Sequence, residues 1–355
     1  MKKVVIIGGG FSGSLAARKL ERKNFKVVLI DSKDYFEFTP GVLRTLVNPE
    51  YRKRIQVLHK DYLKKSEIVI GEVKKISLDY VHVTSLNGLD KKISFDYLLI
   101  CSGSRYDFPI KEKNLIFSMR ENHLREYFEK LRDSKNILII GGGVVGVELC
   151  AEIVESCKGK KKITLVHAHD SLMERNHEKA VSIASDFLKE RGVNLIFNER
   201  IVKSIDGKFV TRKGREFKAD IAFLCTGITP NSEFMRENFL ECLNRKDQIL
   251  VNSFLQVDSG KKVYEKIFSA GDVNSVAEEK TAQSSEKQAL LVVKNILLME
   301  RKRKLGKYLP KVRPMVISLG KYNGIFSLRR FHFSGLIPGL LKTFIEWKTM
   351  ARYKW

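Results

Sequence analysis

The chain opens on a short apolar run, VVII at 4–7, that stops at three glycines. A run of this length bounded by glycine predicts a strand buried on both faces. FSGSLAARKLERKN follows, with Leu15, Ala16 and Leu20 at helical spacing, and FKVVLID then predicts a second strand ending in Asp31. The same order returns at 136–166, where NILII, GGG, VVGVELCAEIVESC and KKITLV read as strand, turn, helix and strand. EIVIGEVKKISL and VHVTSL suit an antiparallel appendage, and DGKFVTRKGREF suits a hairpin. Near the end, Leu336, Leu340, Phe344 and Trp347 recur every three or four residues, and Leu341 and Ile345 widen the stripe. That run predicts an amphipathic helix, too interrupted by Lys342, Lys348, Arg352 and Lys354 to cross a bilayer. Pro338 is expected to end an earlier turn and reorient this helix.

Both turns satisfy G-x-G-x-x-G, through Gly8, Gly10 and Gly13 and again through Gly141, Gly143 and Gly146. In such a turn the first glycine makes the tight bend and the second lets the backbone approach a pyrophosphate. The third allows close helix–strand contact, and the helix N-terminus offers free N–H groups to the phosphates. Asp31 stands where a carboxylate accepts hydrogen bonds from ribose hydroxyls. At the matching place in the second copy the chain has His167. Two different dinucleotides on one polypeptide suit hydride passage from a nicotinamide to a flavin. Structural duplication with one decayed site is the alternative.

Three further stretches complete a pattern: FDYLLICSGSRY at 95–106, ADIAFLCTGITPN at 219–231 and KIFSAGDVNSV at 266–276. Together with the paired turns, they make residues 1–300 resemble the flavoproteins with two dinucleotide-binding domains. The resemblance implies an α/β fold of two Rossmann-like FAD- and NAD(P)-binding domains, the second inserted in the first, plus a small C-terminal region. FAD would bind 1–110 and 245–305, NAD(P)H would bind 111–244, and 306–355 would form an interface or membrane contact. Within it, Gly8, Gly10, Phe11, Ser12, Gly13, Asp31, Ser102, Gly103, Arg105, Gly271 and Asp272 would hold FAD. Gly141, Gly143, Val144, Val145, Gly146, Glu148, His167 and Gly227 would hold the nicotinamide donor.

DYFEFTPGVLRTLVNP at 34–49 and TAQSSEKQ at 281–288 look like segments of type II NADH:quinone oxidoreductases and of apoptosis-inducing-factor homologues, also described as ferroptosis suppressors. By that resemblance Thr281, Ala282 and Gln283 approach the flavin ring, and Gln283 and Gln288 lie near a quinone pocket. Glu148 positions the nicotinamide or its ribose. A plain amphipathic packing helix is the other reading of 281–302, and a solvent-facing carboxylate the other reading of Glu148. The implied activity is an NAD(P)H:quinone oxidoreductase that pumps no protons and uses FAD with NADH or NADPH.

Five cysteines, Cys101, Cys150, Cys157, Cys225 and Cys242, include no CxxC and no pair after the first glycine turn. That argues against disulfide- and thioredoxin-reductase chemistry, and the lack of a cysteine after Cys242 argues against sulfide:quinone chemistry. Buried thiols in a reducing compartment are expected, as is the absence of any metal site. MKK at the N-terminus has no cleavage region, and Lys2 excludes myristoylation. The expected place is the cytoplasm, or the periphery of a membrane's inner face.

The net charge of +24 favours an anionic partner without choosing one. The terminal segment could dock on its own core, form a homodimer, or rest on an anionic membrane while a quinone enters; the family resemblance favours the membrane. A redox-responsive nucleic-acid-binding flavoprotein and a soluble diaphorase are the remaining alternatives. No zinc-finger spacing or RNA-binding aromatic motif supports the former. His167 removes the carboxylate that would favour the NADH ribose, and Lys161, Lys162 and Arg175 lie close enough in sequence to accept the extra phosphate of NADPH; the quinone-reductase resemblance places NADH narrowly first.

Overall fold

A computed structural model describes residues 1–106, 109–111 and 116–354. An eight-stranded sheet runs in the order 256–258, 263–269, 97–100, 2–7, 25–31, 67–76, 80–85, 90–94. Its centre is parallel: Lys2–Ile7 lies between Phe25–Asp31 and Tyr97–Ile100, and Val263–Ser269 continues beside the latter. Side chains alternate between two apolar faces, as a central parallel strand requires. Val4, Ile6, Leu29, Leu99 and Phe268 pack on one face, in the core that also buries Ala16, Leu20, Ala289 and Val292 of two helices, Phe11–Leu20 and Ala282–Glu300. Val5, Ile7, Val28, Leu98 and Ile100 pack with Phe234, Met235 and Phe239 on the other. Burying each such side chain is worth about 1.5–3 kcal/mol.

The stretch Glu67–Ile76 does more than the appendage expected of it. Its first half continues the parallel sheet beside Phe25–Asp31, and only its second half turns antiparallel to Tyr80–Ser85. The run is long enough to serve both pairings. Lys208–Thr211 and Glu216–Lys218 form the expected hairpin, with Ile201–Ile205 as a third strand.

A second sheet of four parallel strands, ordered 194–196, 162–166, 136–140, 221–224, lies entirely within the sequence between the two parts of the first. Where the chain leaves and re-enters the first sheet, Ser104–Arg105 pairs antiparallel with Thr229–Pro230. Asn231 reinforces the crossing: its amide donates to the Ser102 carbonyl at 2.9 Å, and its own carbonyl accepts from the Ser102 hydroxyl at 2.6 Å.

The C-terminal region is a three-stranded meander, Met315–Leu319, Asn323–Leu328 and Phe331–Gly335, followed by the helix Leu336–Lys354. Ile317, Leu319 and Ile325 join the core of the second half. Pro338 does not end a turn before this helix; it is the third residue of its first turn, where its missing N–H would have had no intrahelical partner anyway. The helix also lies the other way round from ordinary core packing. Lys342, Glu346, Thr349, Met350 and Tyr353 face inward, while Leu336, Ile337, Leu340, Phe344 and Trp347 are each more than half exposed. Among the described residues no helix is long and apolar enough to cross a membrane. Trp355 lies outside the described residues.

Candidate functional site

The two glycine turns are built alike down to single atoms. Gly8 N donates to Ile30 O at 2.7 Å and Gly141 N to Val166 O at 2.8 Å. Cys101 N donates to Ile7 O and Cys225 N to Ile140 O, both at 2.7 Å. A Cβ on Gly13 would fall on the carbonyl oxygen of Gly8, and one on Gly146 on that of Gly141. Each helix therefore starts against its strand at a distance that only glycine permits. A Cβ on Gly10 or Gly143 would meet nothing, because those positions face open space. Both are helix N-caps without a capping side chain, so the first-turn N–H groups remain available to an anion.

One cleft of about 1500 Å³ joins the two turns. Gly8, Gly10, Phe11, Ser12, Asp31, Ser102, Gly103, Gly271, Asp272, Thr281, Ala282 and Gln283 line its first half. Gly141, Gly143, Val144, Val145, Glu148, His167 and Gly227 line its second. Gly13 and Gly146 sit behind the turns as packing positions. Arg105 is not on the wall: its guanidinium is engaged by Pro230 O, Asn231 Oδ1 at 3.0 Å and Glu233, bracing the crossing ribbon. Gln288 is not on the wall either. Its Oε1 accepts from Gly271 N and from Asn274 Nδ2, both at 2.7 Å, and its Nε2 donates to Glu278. The side chain is consumed in holding the turn that presents Asp272.

Asp31 Oδ2 accepts from Gly9 N at 2.9 Å and lies 3.1 Å from His59 Nε2. Burial would raise its carboxyl, but His59 and Lys33 hold it below the usual range. Asp272 behaves similarly: burial is overcome by Lys111, 3.0 Å away, and by the Ser104 hydroxyl at 2.8 Å. Lys111 and Ser104 line the cleft without having been identifiable from any motif. Gly271 has φ +93°, and a Cβ there would press on Ser12 Oγ at 2.8 Å. An ionised acid beyond the first strand, an open glycine edge and a second buried acid on a close-approach turn fit the ribose, pyrophosphate and ribityl–phosphate parts of FAD.

Glu148 is neither solvent-facing nor free. It is buried, accepts from Ser318 N at 2.7 Å, and pairs with Lys342 Nζ from the C-terminal helix. Both members of the pair line the large cleft and also a small neighbouring cavity that holds Tyr51, Glu152 and Glu346. Lys342 was visible in the sequence only as one positive charge of a terminal run. Nearby, Arg44 binds Glu152 through two nitrogens and reaches Gly320 O at 3.0 Å, tying the loop after the first acid to the second helix.

All five cysteines are free. Burial drives the Cys101 and Cys150 thiols far above their usual range and pushes Cys225 up to about 12, so these three are packing groups rather than nucleophiles. Among the described residues no group of His, Cys, Asp and Glu could hold a metal ion.

Comparison with known proteins agrees with this architecture. Residues 2–289 match the model of the pyridine nucleotide-disulphide oxidoreductase family. Apoptosis-inducing factor homolog B of Dictyostelium discoideum is 31% identical, over 91% of this chain and 89% of the relative. Ferroptosis suppressor protein 1 of Homo sapiens is 29% identical, over 98% of this chain and 96% of the relative. The solved sulfide:quinone oxidoreductase of the hyperthermophilic bacterium Aquifex aeolicus superposes with a TM-score of 0.84 at 21% identity, covering 100% of this chain and 92% of the other, a likeness of fold. The chain belongs to the pyridine nucleotide-disulphide oxidoreductase family, as an FAD-dependent oxidoreductase that uses NAD(P)H.

Proposed function

We propose that the chain is an NAD(P)H:quinone oxidoreductase, with FAD held by 1–110 and 245–305, the nicotinamide donor by 111–244, and the quinone near 306–355. The observation that carries this reading is the single cleft running from both glycine turns to the buried Glu148–Lys342 pair. Bound FAD would supply the redox chemistry, linking a hydride-donating nicotinamide to a two-electron quinone acceptor. The first glycine turn and Asp31 fix the adenosine end, while Asp272, kept ionised by Lys111, fixes the middle. Thr281, Ala282 and Gln283 border the ring end, with Gln283 the exposed side chain at its rim. A quinone accepting two electrons also needs protons at its oxygens. Lys342 is the proton donor at the cleft wall, re-protonated from solvent after each transfer, and the Glu148 carboxylate holds its ammonium in place. Ser318 N holds the Glu148 carboxylate in place throughout.

The outward apolar stripe of the C-terminal helix supports contact with a membrane in which a quinone dissolves, with Lys348 exposed beside it for an anionic headgroup. The buried thiols favour an external quinone over sulfide as the substrate here. Anaerobic reduction by NADH, then stopped-flow mixing with short-chain quinone, sulfide and disulfide in separate trials, tests the proposal. Prompt flavin reoxidation by quinone is the expected result; reduction by NADH without that reoxidation would rule the quinone out.

A further inference from the structure

The two glycine turns differ at one position, and the difference bears on which nicotinamide dinucleotide the enzyme takes. Asp31 and His167 each follow the residue paired with the last position of the neighbouring strand, Ile30 with Ile7 and Val166 with Ile140. Each accepts a hydrogen bond from the middle glycine of its turn at the same length, Gly9 N to Asp31 Oδ2 and Gly142 N to His167 Nδ1, both 2.9 Å. Since Nδ1 accepts, the ring proton of neutral His167 is on Nε2, which points at Glu174 Oε2 3.2 Å away. His169 Nε2 lies 3.8 Å from the other oxygen of the same carboxylate. The carboxylate missing from the strand end is thus restored one imidazole further out, on the loop after the strand. A second carboxylate stands beside it: Glu199 lines this part of the cleft, and its Oε2 is buried without a hydrogen-bond partner among the described residues.

We propose that Glu174, held by His167 and backed by Glu199, reads the ribose hydroxyls of the adenosine end and makes the enzyme selective for NADH over NADPH. Hydroxyls donate to a carboxylate, whereas a 2′-phosphate would bring about two negative charges against two carboxylates. Of the cations that could favour the phosphate, two stand at the far end of the strand, and Arg175 and Arg200 line the cleft from exposed positions. Lys161 donates to Arg132 O and Ser134 O at the opposite end of its strand, and Lys162 begins that strand. Arg175 is 78% exposed and faces Glu279 at 3.9 Å, and Arg200 is exposed at the rim, where solvent and salt screen them.

The inference rests on the second turn being the nicotinamide site. Its test uses the FAD-loaded enzyme with NAD⁺ and NADP⁺, which carry the same adenosine ends without reducing the flavin, in equilibrium dialysis. NAD⁺ should bind about tenfold tighter than NADP⁺ or more. Glu174→Gln should weaken NAD⁺ about tenfold while leaving NADP⁺ unchanged or improved, the loss expected of one hydrogen bond to a charged group. His167→Ala should move NAD⁺ in the same direction, and unchanged flavin absorbance establishes that either variant is folded and loaded. Equal weakening of both nucleotides by Glu174→Gln, or equal wild-type affinities, would overturn the reader while leaving the site standing. Binding of neither nucleotide would overturn both.

Discussion

At the scale of single residues, charge is decided by what lies behind each group. Burial lowers the proton affinity of His167 more than Glu174 raises it. Its contribution to stability is therefore complete above about pH 6.5 and is lost as pH falls through the lower folded value, because the unfolded chain takes up the proton first. Melting temperatures across that range should fall more steeply for the native chain than for His167→Asn, and parallel curves would contradict the assignment. Glu148 and Lys342 make a kinetic prediction. Glu148→Gln or Lys342→Met should slow flavin reoxidation by quinone about 100-fold, the usual weight of a positioned proton donor. Reduction of the flavin by NADH should hardly change, and a loss confined to that step would place the pair on the wrong half of the reaction. None of these partnerships could be read from spacing. Glu148 meets Ser318 and Lys342 across 170 and 194 positions of sequence, and Glu174 lies in a loop with no periodic signal of its own.

Elements were legible where local rules suffice. Both strand–glycine–helix–strand units follow from the sequence, because an apolar run, a glycine bend and a helical stripe each have a local cause. The direction of a stripe is another matter. Periodicity places Leu336, Leu340, Phe344 and Trp347 on one face of a helix, but which way that face turns depends on Met350 and Tyr353 reaching the first core. Tyr353 packs tilted against Phe36 with ring centroids 4.3 Å apart, and its register turns the apolar stripe into the open. Phe344→Ser with Trp347→Ser should accordingly cut sedimentation with anionic vesicles by about tenfold or more, since each aromatic offers 150–250 Å² of burial and serine adds no charge. Turnover with a short-chain quinone should persist. Undiminished sedimentation would exclude the stripe as the contact, and a dimer of the parent that the double variant abolishes would assign the face to a second copy.

The whole molecule is two similar halves laid against one cleft, and its sequence order hides that simplicity. Val263–Ser269 completes a sheet begun at Lys2, and the helix Ala282–Glu300 covers it, so the first half is discontinuous in sequence while the second sheet is contiguous. Buried acids on both sides of the cleft stand ready for a ligand, which should make stability depend on cofactor. Removing FAD is expected to lower the melting temperature by several degrees, since a ligand at a thousand times its Kd contributes about 4 kcal/mol. Adding FAD back should restore it in a concentration-dependent way; identical melting with and without FAD would deny the site its occupant.

The terminal helix has one more consequence, an optical one. The chain has two tryptophans, Trp347 and Trp355, and the sheets contain none. Trp347 is 60% exposed within the outward stripe, 5.8 Å from Phe344. Intrinsic emission excited at the indole band is therefore weighted to the end of the chain instead of averaging over the fold. An unfolding curve recorded that way would follow the release of the helix, and circular dichroism would be needed to see the sheets. The same indole would shift to shorter wavelength on entering lipid, so the protein carries its own unlabelled probe of membrane contact.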